Sequence, residues 1–370
     1  MSREGNRMSL ESSSGPERLG WSSFFEQQWQ QHHGHTADGS AFFPARVVGE
    51  ERGLARLATD LACEFWGELT GKARLDEHPA VGDWVVASRA PLDPRAQIHA
   101  VLPRRTCLTR RAAGRSDRPQ ILAANVDVAF LVASLHLDFH ARRLERYLTT
   151  VWDGGARPIV LLTKLDLCDD PAPFVREVEA VAPGVEVHAL SGLTGDGVDA
   201  VASSLPPGTT AVLLGSSGTG KSTLINRLLG QDVAPTLPIR KHDGRGRHAT
   251  TSRHLWALAS GGLVIDTPGM RELQLWVDEE TLGRVFGDVG DVARRCRFRD
   301  CGHGSEPGCA VRAALADGSL PEERFASYVK LGRELAFQAR KSDRAEMSRE
   351  KERWKRIHRD ARARDKHRRM

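Results

Sequence analysis

Between Phe43 and Cys107 the chain carries short stretches in which apolar and polar residues alternate: PARVVGEERGLARLA, LACEFWGEL, VGDWVVASR and AQIHAVLP. Gly and Pro punctuate them. Period-two alternation predicts strands with one buried face, and about five short strands close naturally into a small barrel of the OB-fold kind. From Asn125 the texture changes. VDVAFLVASL is continuously apolar, as expected of a strand buried on both faces. A helix over Ala141–Val151 follows, then the strand ARPIVLLTKLD, a helix over Ala172–Val181 and the strand VEVHALSG. TTAVLLG leads into a glycine-rich loop and a helix over Ser222–Leu229, and GGLVIDTPG reads as a further strand. Strands alternating with helices predict a parallel α/β sheet. After Asp278 the chain is helical, irregular around its cysteines, and helical again from Ala310. Residues 1–38 are polar and rich in Ser, Gly, Gln and His, which predicts a disordered extension with a short helix around Trp21–Trp29. The HHGH run at His32–His35 lies in that extension and is expected to have no function of its own.

At 370 residues the chain is long enough for two or three domains. No apolar run approaches the length of a membrane span, and the polar start MSREGNRMSL does not read as a signal peptide, so no membrane association and a cytoplasmic location are expected. The charge is unevenly placed. Gln338–Met370 holds fourteen Lys or Arg against six Asp or Glu, a local excess of +8 in a chain whose net charge is +5. A basic helical tail of that kind suits a polyanionic partner such as RNA.

Candidate chemistry sits at the ends of the predicted strands, where open α/β sheets bind ligands. Gly215-Ser216-Ser217-Gly218-Thr219-Gly220-Lys221-Ser222-Thr223 fits the phosphate-loop pattern between a strand and a helix. Its glycines let backbone N–H groups curl around phosphate oxygens, and the helix start adds a favourable dipole. Lys221 is expected to reach the β- and γ-phosphates, and Ser222 to ligate Mg²⁺. Asp266 would hold the same ion through water, and the Gly269 amide would sense the γ-phosphate. Met270 stands where many GTPases place a water-orienting Gln, so either another residue positions the nucleophile or intrinsic hydrolysis is slow. The polar segment Lys241–Arg253 reads as a switch loop, with Thr250 or Thr251 as an Mg²⁺ ligand and His248 as a candidate for water activation.

Thr163-Lys164-Leu165-Asp166 decides the base. A carboxylate at Asp166 accepts from N1–H and N2–H₂ of guanine, neither of which adenine offers. Lys164 covers the base with its aliphatic stem, and Ser191-Gly192 would supply a backbone contact to O6. Thr163 replaces the commoner Asn, which is expected to weaken one hydrogen bond. This guanine motif precedes the phosphate loop, the reverse of the ordinary order, and so predicts a circularly permuted GTPase domain. Further along, Cys296, Cys301, His303 and Cys309 provide three thiolates and one imidazole, a full tetrahedral set for one structural Zn²⁺ with no position left for catalysis.

Taken in order, TKLD, LSGLTGDG, GSSGTGKSTLIN, GRGRHATTSR, GGLVIDTPG and the Cys-x₄-Cys-x-His-x₅-Cys cluster resemble the bacterial ribosome small subunit-dependent GTPase A family. VGDWVV and LPRRTCLTRRAAG are similar to that family's barrel and its exit. The resemblance covers about Phe43–Tyr328. It implies an OB-fold barrel over 39–112, a permuted P-loop GTPase domain over 113–277 and a small α-helical zinc-binding domain over 278–337. The extension 1–38 and the basic helical tail 338–370 lie outside it. It also implies slow GTP hydrolysis to GDP, stimulated by the small ribosomal subunit late in its assembly, rRNA contacts through barrel and zinc domain, and a checkpoint role involving other assembly factors. The protein is expected to be a monomer. His248 falls on the family's switch histidine, whereas Ala249-Thr250-Thr251 departs from its three threonines. Two other readings are an RNA-binding scaffold with a merely structural nucleotide site, and an ATP-using P-loop enzyme. Lys221, Ser222 and Asp266 weigh against the first, and Asp166 against the second.

Overall fold

The four alternating stretches form five strands that pair into a closed barrel in the computed structural model of the chain, which describes residues 15–32, 34–36, 39–51, 53–70, 78–111, 119–136, 139–231, 253–267 and 279–336. The strands are β1 (Phe43–Glu51), β2 (Leu54–Asp60), β3 (Cys63–Leu69), β4 (Trp84–Ser88) and β5 (Arg95–Val101). They run in the order β1-β2-β3-β5-β4, and β4 returns to β1 from Phe43↔Ala87 to Arg46↔Trp84. Closure pairs the barrel's own edges and leaves a small interior filled by Val47, Leu57, Val85 and Ile98. Gly67 suits that interior, because a Cβ would lie 2.6 Å from Leu57 Cδ1 and force that side chain to shift.

The expected disorder of the extension does not hold for residues 15–32. A turn at Pro16–Leu19 and helix α1 (Ser23–Trp29) are folded, with Leu19 and Phe25 buried. Trp21, Phe24, Phe25 and Trp29 recur at helical spacing and are packed or partly packed against the core. Trp21 meets the barrel's Trp84 edge-on at 4.6 Å. The Ser- and Gln-rich surroundings hide this apolar face in a composition count. Arg46, buried in β1, fixes the junction. Its guanidinium donates to the carbonyls of Leu19, of Gly82 at 3.3 Å and of Asn125 at 3.2 Å. Burial pushes its pKa down to about 10, so it stays cationic at neutral pH.

The hairpin β6 (Cys107–Arg111) and β7 (Pro119–Ala124) leads out of the barrel. Then come β8 (Val128–Ser134), α2 (Ala141–Asp153), β9 (Arg157–Thr163), α3 (Ala172–Val181) and β10 (Glu186–Ala189). They are followed by α4 (Val198–Ser203), β11 (Thr210–Leu214), α5 (Lys221–Leu229), β12 (His254–Ala257) and β13 (Leu263–Asp266). The sheet order is β10-β9-β8-β11-β13-β12, parallel except for β12. Alternate residues of β8 enter two different cores. Phe130 joins Ile159, Leu161 and Leu224, while Leu131 joins Leu148, Val160 and Ile265. Covered faces on both sides explain the unbroken apolar runs. β12 also meets the barrel, antiparallel to β1 at Gly49↔His254.

Barrel and α/β sheet belong to one compact unit, Met1–Arg110 with Ile121–Gln274. A second unit comprises Arg111–Gln120 and Leu275–Met370. Its described helices are α6 (Glu279–Val285), α7 (Gly287–Ala293), α8 (Ala310–Ala316) and α9 (322–336). Phe286, Val289, Val311, Leu320 and Leu331 are buried. Arg324 ties α9 to α7 by a two-pronged pair with Asp288, both contacts at 3.0 Å, and lies over the Phe286 ring at 4.3 Å. The basic tail 338–370 lies outside the described residues, as do residues 1–14 and His33. No helix among the described residues is long and apolar enough to cross a membrane.

Candidate nucleotide site and metal centre

β11 ends at Leu214 and α5 starts at Lys221, so the intervening six residues turn at the carboxyl edge of the sheet. Glycine is forced at three of them. Gly218 and Gly220 have φ of 84° and 90°, and a Cβ on Gly215 would stand 2.4 Å from the Val132 carbonyl oxygen. Ser217 lies within the loop, and Ser222 and Thr223 fall in the first turn of α5. Lys221 folds back into the loop, where Nζ donates to the carbonyls of Gly215 at 2.7 Å and Ser216 at 2.6 Å. The Ser216 carbonyl also accepts from the Thr219 hydroxyl at 2.9 Å, and the Ser216 hydroxyl accepts from Arg143 Nη1 at 2.8 Å. Next to this strand, Asp266 closes β13 in register with Leu213, and the Thr267 hydroxyl donates to Leu213 O at 2.7 Å.

Burial sets the charges of this pair. It pushes Lys221 down to about 8, opposed by the nearby Asp266 carboxylate, and it raises Asp266, opposed by Lys221. A bound polyphosphate favours the ammonium and returns its pKa upward. Nucleotide binding near pH 8 to 9 is therefore expected to take up part of a proton, and affinity to fall as pH rises above about 8, by at most about tenfold per unit. Calorimetry in buffers of different ionisation enthalpy reads the uptake, which Lys221→Met should remove. Binding without proton uptake would contradict the assignment.

The guanine motif lies two strands from β11, beyond β8. β9 ends at Thr163, and Lys164 takes a left-handed turn at φ 63°. The Thr163 hydroxyl lies 2.5 Å from the Thr219 carbonyl oxygen and 3.1 Å from that of Ala133. The residue in the place of the commoner Asn is thus hydrogen-bonded directly to the phosphate loop. Leu165 N donates to Leu190 O at 3.1 Å, which draws the motif against the end of β10. There the Ser191 hydroxyl donates to the Asp166 carboxylate and accepts from the amides of Leu193 at 3.2 Å and Thr194 at 3.1 Å. Asp166 is held by one oxygen and keeps acceptor capacity for a base. Gly192 sits against α5, where a Cβ would come within 3.3 Å of Leu224 N. Base-reading and phosphate-binding candidates, far apart in sequence, therefore share one strand edge.

His248, Thr250, Thr251, Gly269, Met270 and the segment to Asp278 lie outside the described residues. The last residue of the switch segment is anchored, since Arg253 Nη1 donates to Ile121 O at 2.9 Å. Sequence reasoning passed over Arg143 and Arg253, because an arginine in a helix or next to a strand carries no local sign of where its head is held.

In the second unit the ligand atoms of Cys296, Cys301, His303 and Cys309 all lie within 4.8 Å of one another. Cys296 Sγ and Cys309 Sγ are 3.9 Å apart, and each is 3.6 Å from His303 Nδ1. Tetrahedral zinc, at about 2.3 Å from sulfur and about 2.05 Å from nitrogen, would set edges of roughly 3.8 and 3.5 Å. The spacings among Cys296, His303 and Cys309 fit that polyhedron. His303 reaches its position through a left-handed backbone, φ 57°. The Glu306 carboxylate accepts from the amides of Gly302 at 3.0 Å and Gly304 at 2.8 Å, which fixes the loop that carries His303. Amides at the start of α8 point at the sulfurs: Ala310 and Val311 at Cys296, and Arg312 at Cys309. Those at Cys296 favour the thiolate form that a metal needs.

A family model described as RsgA GTPase matches residues 101–276. A small ribosomal subunit biogenesis GTPase RsgA from Opitutus terrae is 47% identical over 362 residues, 94% of this chain and 97% of that protein. Its namesake from Methanosarcina acetivorans is 42% identical over 336 residues, 91% of this chain and 89% of that one. The crystal structure of YjeQ from Thermotoga maritima is similar with a TM-score of 0.58 at 27% identity, over 80% of this chain and 99% of that one. The structure of YloQ, a circularly permuted GTPase, gives 0.56 at 25% identity, over 83% and 97%. Barrel, reversed motif order, sheet topology and these similarities agree that the chain belongs to the RsgA GTPase family and is a circularly permuted GTP hydrolase.

Proposed function

We infer that this GTPase acts on the small ribosomal subunit late in its assembly and turns over slowly until that particle stimulates it. The observation that carries the GTPase site is the Thr163–Thr219 contact, which joins the base-reading edge to the phosphate loop. The relatives are named for small ribosomal subunit biogenesis, which supports the choice of partner. Thr163–Asp166 with Ser191 and Gly192 bind guanine, and Gly215–Thr223 bind the phosphates. Lys221 exchanges the carbonyls of Gly215 and Ser216 for β- and γ-phosphate oxygens. Ser222 and Asp266, the latter through water, would hold Mg²⁺ together with Thr250 or Thr251, and the ion would supply charge neutralisation at those oxygens. The Gly269 amide senses the γ-phosphate and His248 activates water, a task for which Met270 has no suitable group.

Zn²⁺ fills the cluster of the helical domain and is structural. The barrel over 39–112, the GTPase domain over 113–277 and the zinc domain over 278–337 act as a cytoplasmic monomer. Barrel and zinc domain face rRNA, the basic tail 338–370 adds to that contact, and other assembly factors are met on the particle. GTP hydrolysis with and without purified small subunits tests this. Stimulation above about tenfold, lost in Lys221→Ala, is the expected result. Bound nucleotide with no stimulation would favour an RNA-binding scaffold instead.

A further inference from the structure

Helix α2 opens with the run ARRLER, and one of its arginines reaches the phosphate loop. Arg143 Nη1 donates to the Ser216 hydroxyl at 2.8 Å. Ser216 is the hub of the loop, since its carbonyl accepts from both the Thr219 hydroxyl at 2.9 Å and Lys221 Nζ at 2.6 Å. Packing leaves a small gap on this side of the loop. A cavity of about 20 Å³ lies there, bordered by His140, Arg143, Tyr147, Ser216 and Thr219, and that is room for about one water molecule. A hydrogen bond from a cation is what fixes the Ser216 residue against α2.

We propose that Arg143 is a positioning residue for GTP hydrolysis, which holds Ser216 still while Lys221 leaves its carbonyl for the phosphates. When the ammonium departs, the Ser216 carbonyl keeps the Thr219 hydroxyl but loses its charged partner, and the peptide is held less firmly next to the space the phosphates occupy. Arg143 grips the same residue through its side chain, so the grip survives the departure of Lys221. A loop that need not reorganise as charge develops stabilises the transition state more than one that must. The planar guanidinium suits the task better than an ammonium, whose donors turn freely.

Single-turnover GTP hydrolysis by the full chain, with enzyme in excess, tests this without any ribosomal particle, so its outcome is independent of the choice of partner above. Arg143→Gln and Ser216→Ala are each expected to slow the chemical step about tenfold with the Kd for GTP changed less than about twofold. The double variant should be no slower than the slower single, because both remove one interaction. Arg143→Lys should recover part of the rate. A structural role would instead weaken binding and lower the melting temperature, with rates unchanged. Rates within about twofold of the parent, or losses that add in the double variant, would overturn the proposal. Should Arg143→Gln fail to fold, Ser216→Ala decides alone: a tenfold loss of rate supports the proposal, and an unchanged rate overturns it.

Discussion

Asp166→Asn is expected to weaken GTP binding by about a thousandfold and to turn the preference toward xanthosine triphosphate. Asp166 lies in the turn Leu165–Leu167 after β9, with one carboxylate oxygen taken by the Ser191 hydroxyl. The carboxylate is an acceptor only, and guanine presents two donors, N1–H and N2–H₂, on the facing edge. An amide offers one acceptor and sets an NH₂ against the other donor. A donor facing a donor costs more than a missing bond, since both groups stay desolvated. Xanthine carries a carbonyl at position 2, which accepts from the new NH₂. Ser191 still donates to the amide oxygen, so the side chain keeps its aim. Competition of GTP and XTP for a fluorescent guanine nucleotide reads the change. Unaltered GTP affinity would show that the base is read elsewhere. Loss of both nucleotides together would show that the strand edge, not the base contact, had been damaged.

Removing one thiolate from the metal cluster should be the most damaging single change in the helical unit. Cys301→Ser, or extraction of the metal with a strong chelator, is expected to cost that unit more than about 4 kcal/mol. The reason lies in how little else holds the loop. Residues between Cys296 and Cys309 form turns rather than helix, and their described ties are few: Glu306 to two amides, and Arg297 N to Gly308 O at 3.1 Å. Three sulfurs and a ring nitrogen already drawn within 4.8 Å repel one another as thiolates unless a cation sits among them. Metal analysis should find one zinc per chain in the parent and none in the variant, and loss of the metal should lower the melting transition of α6–α9. Because the ligands must lose protons to bind, affinity for zinc should also fall as the pH is lowered. A variant that retains its zinc, or an unshifted transition in the metal-free protein, would refute the structural role.

Local chemistry was legible in the sequence wherever it depends on residue identity at short spacing. The phosphate loop, TKLD and the cysteine cluster are of this kind, since backbone turns, a base edge and a tetrahedral ion each demand particular groups a few residues apart. Helix α3 coincides with the expected Ala172–Val181, and α2 and α5 differ from expectation only at their ends. Short elements whose partners are remote were less legible. β12 spans only His254–Ala257 and exists because β13 flanks it on one side and β1 on the other. The hairpin β6–β7 likewise went unread. In the extension the short helix expected around Trp21–Trp29 is present as α1, but composition gave no sign that Trp84 and Arg46 offer its aromatic face a place to pack.

The sequence by itself determined the permuted order of motifs, the GTPase class and a Cys/His cluster able to hold a metal, because each is read from residue identities along the chain. The tertiary structure decided which remote groups meet. It joined Thr163 to Thr219, brought Arg143 to Ser216, buried Arg46 among three carbonyls and closed β4 on β1. Such pairings depend on how twisted strands and packed helices fill space around a common core, and no window of neighbouring residues contains that information.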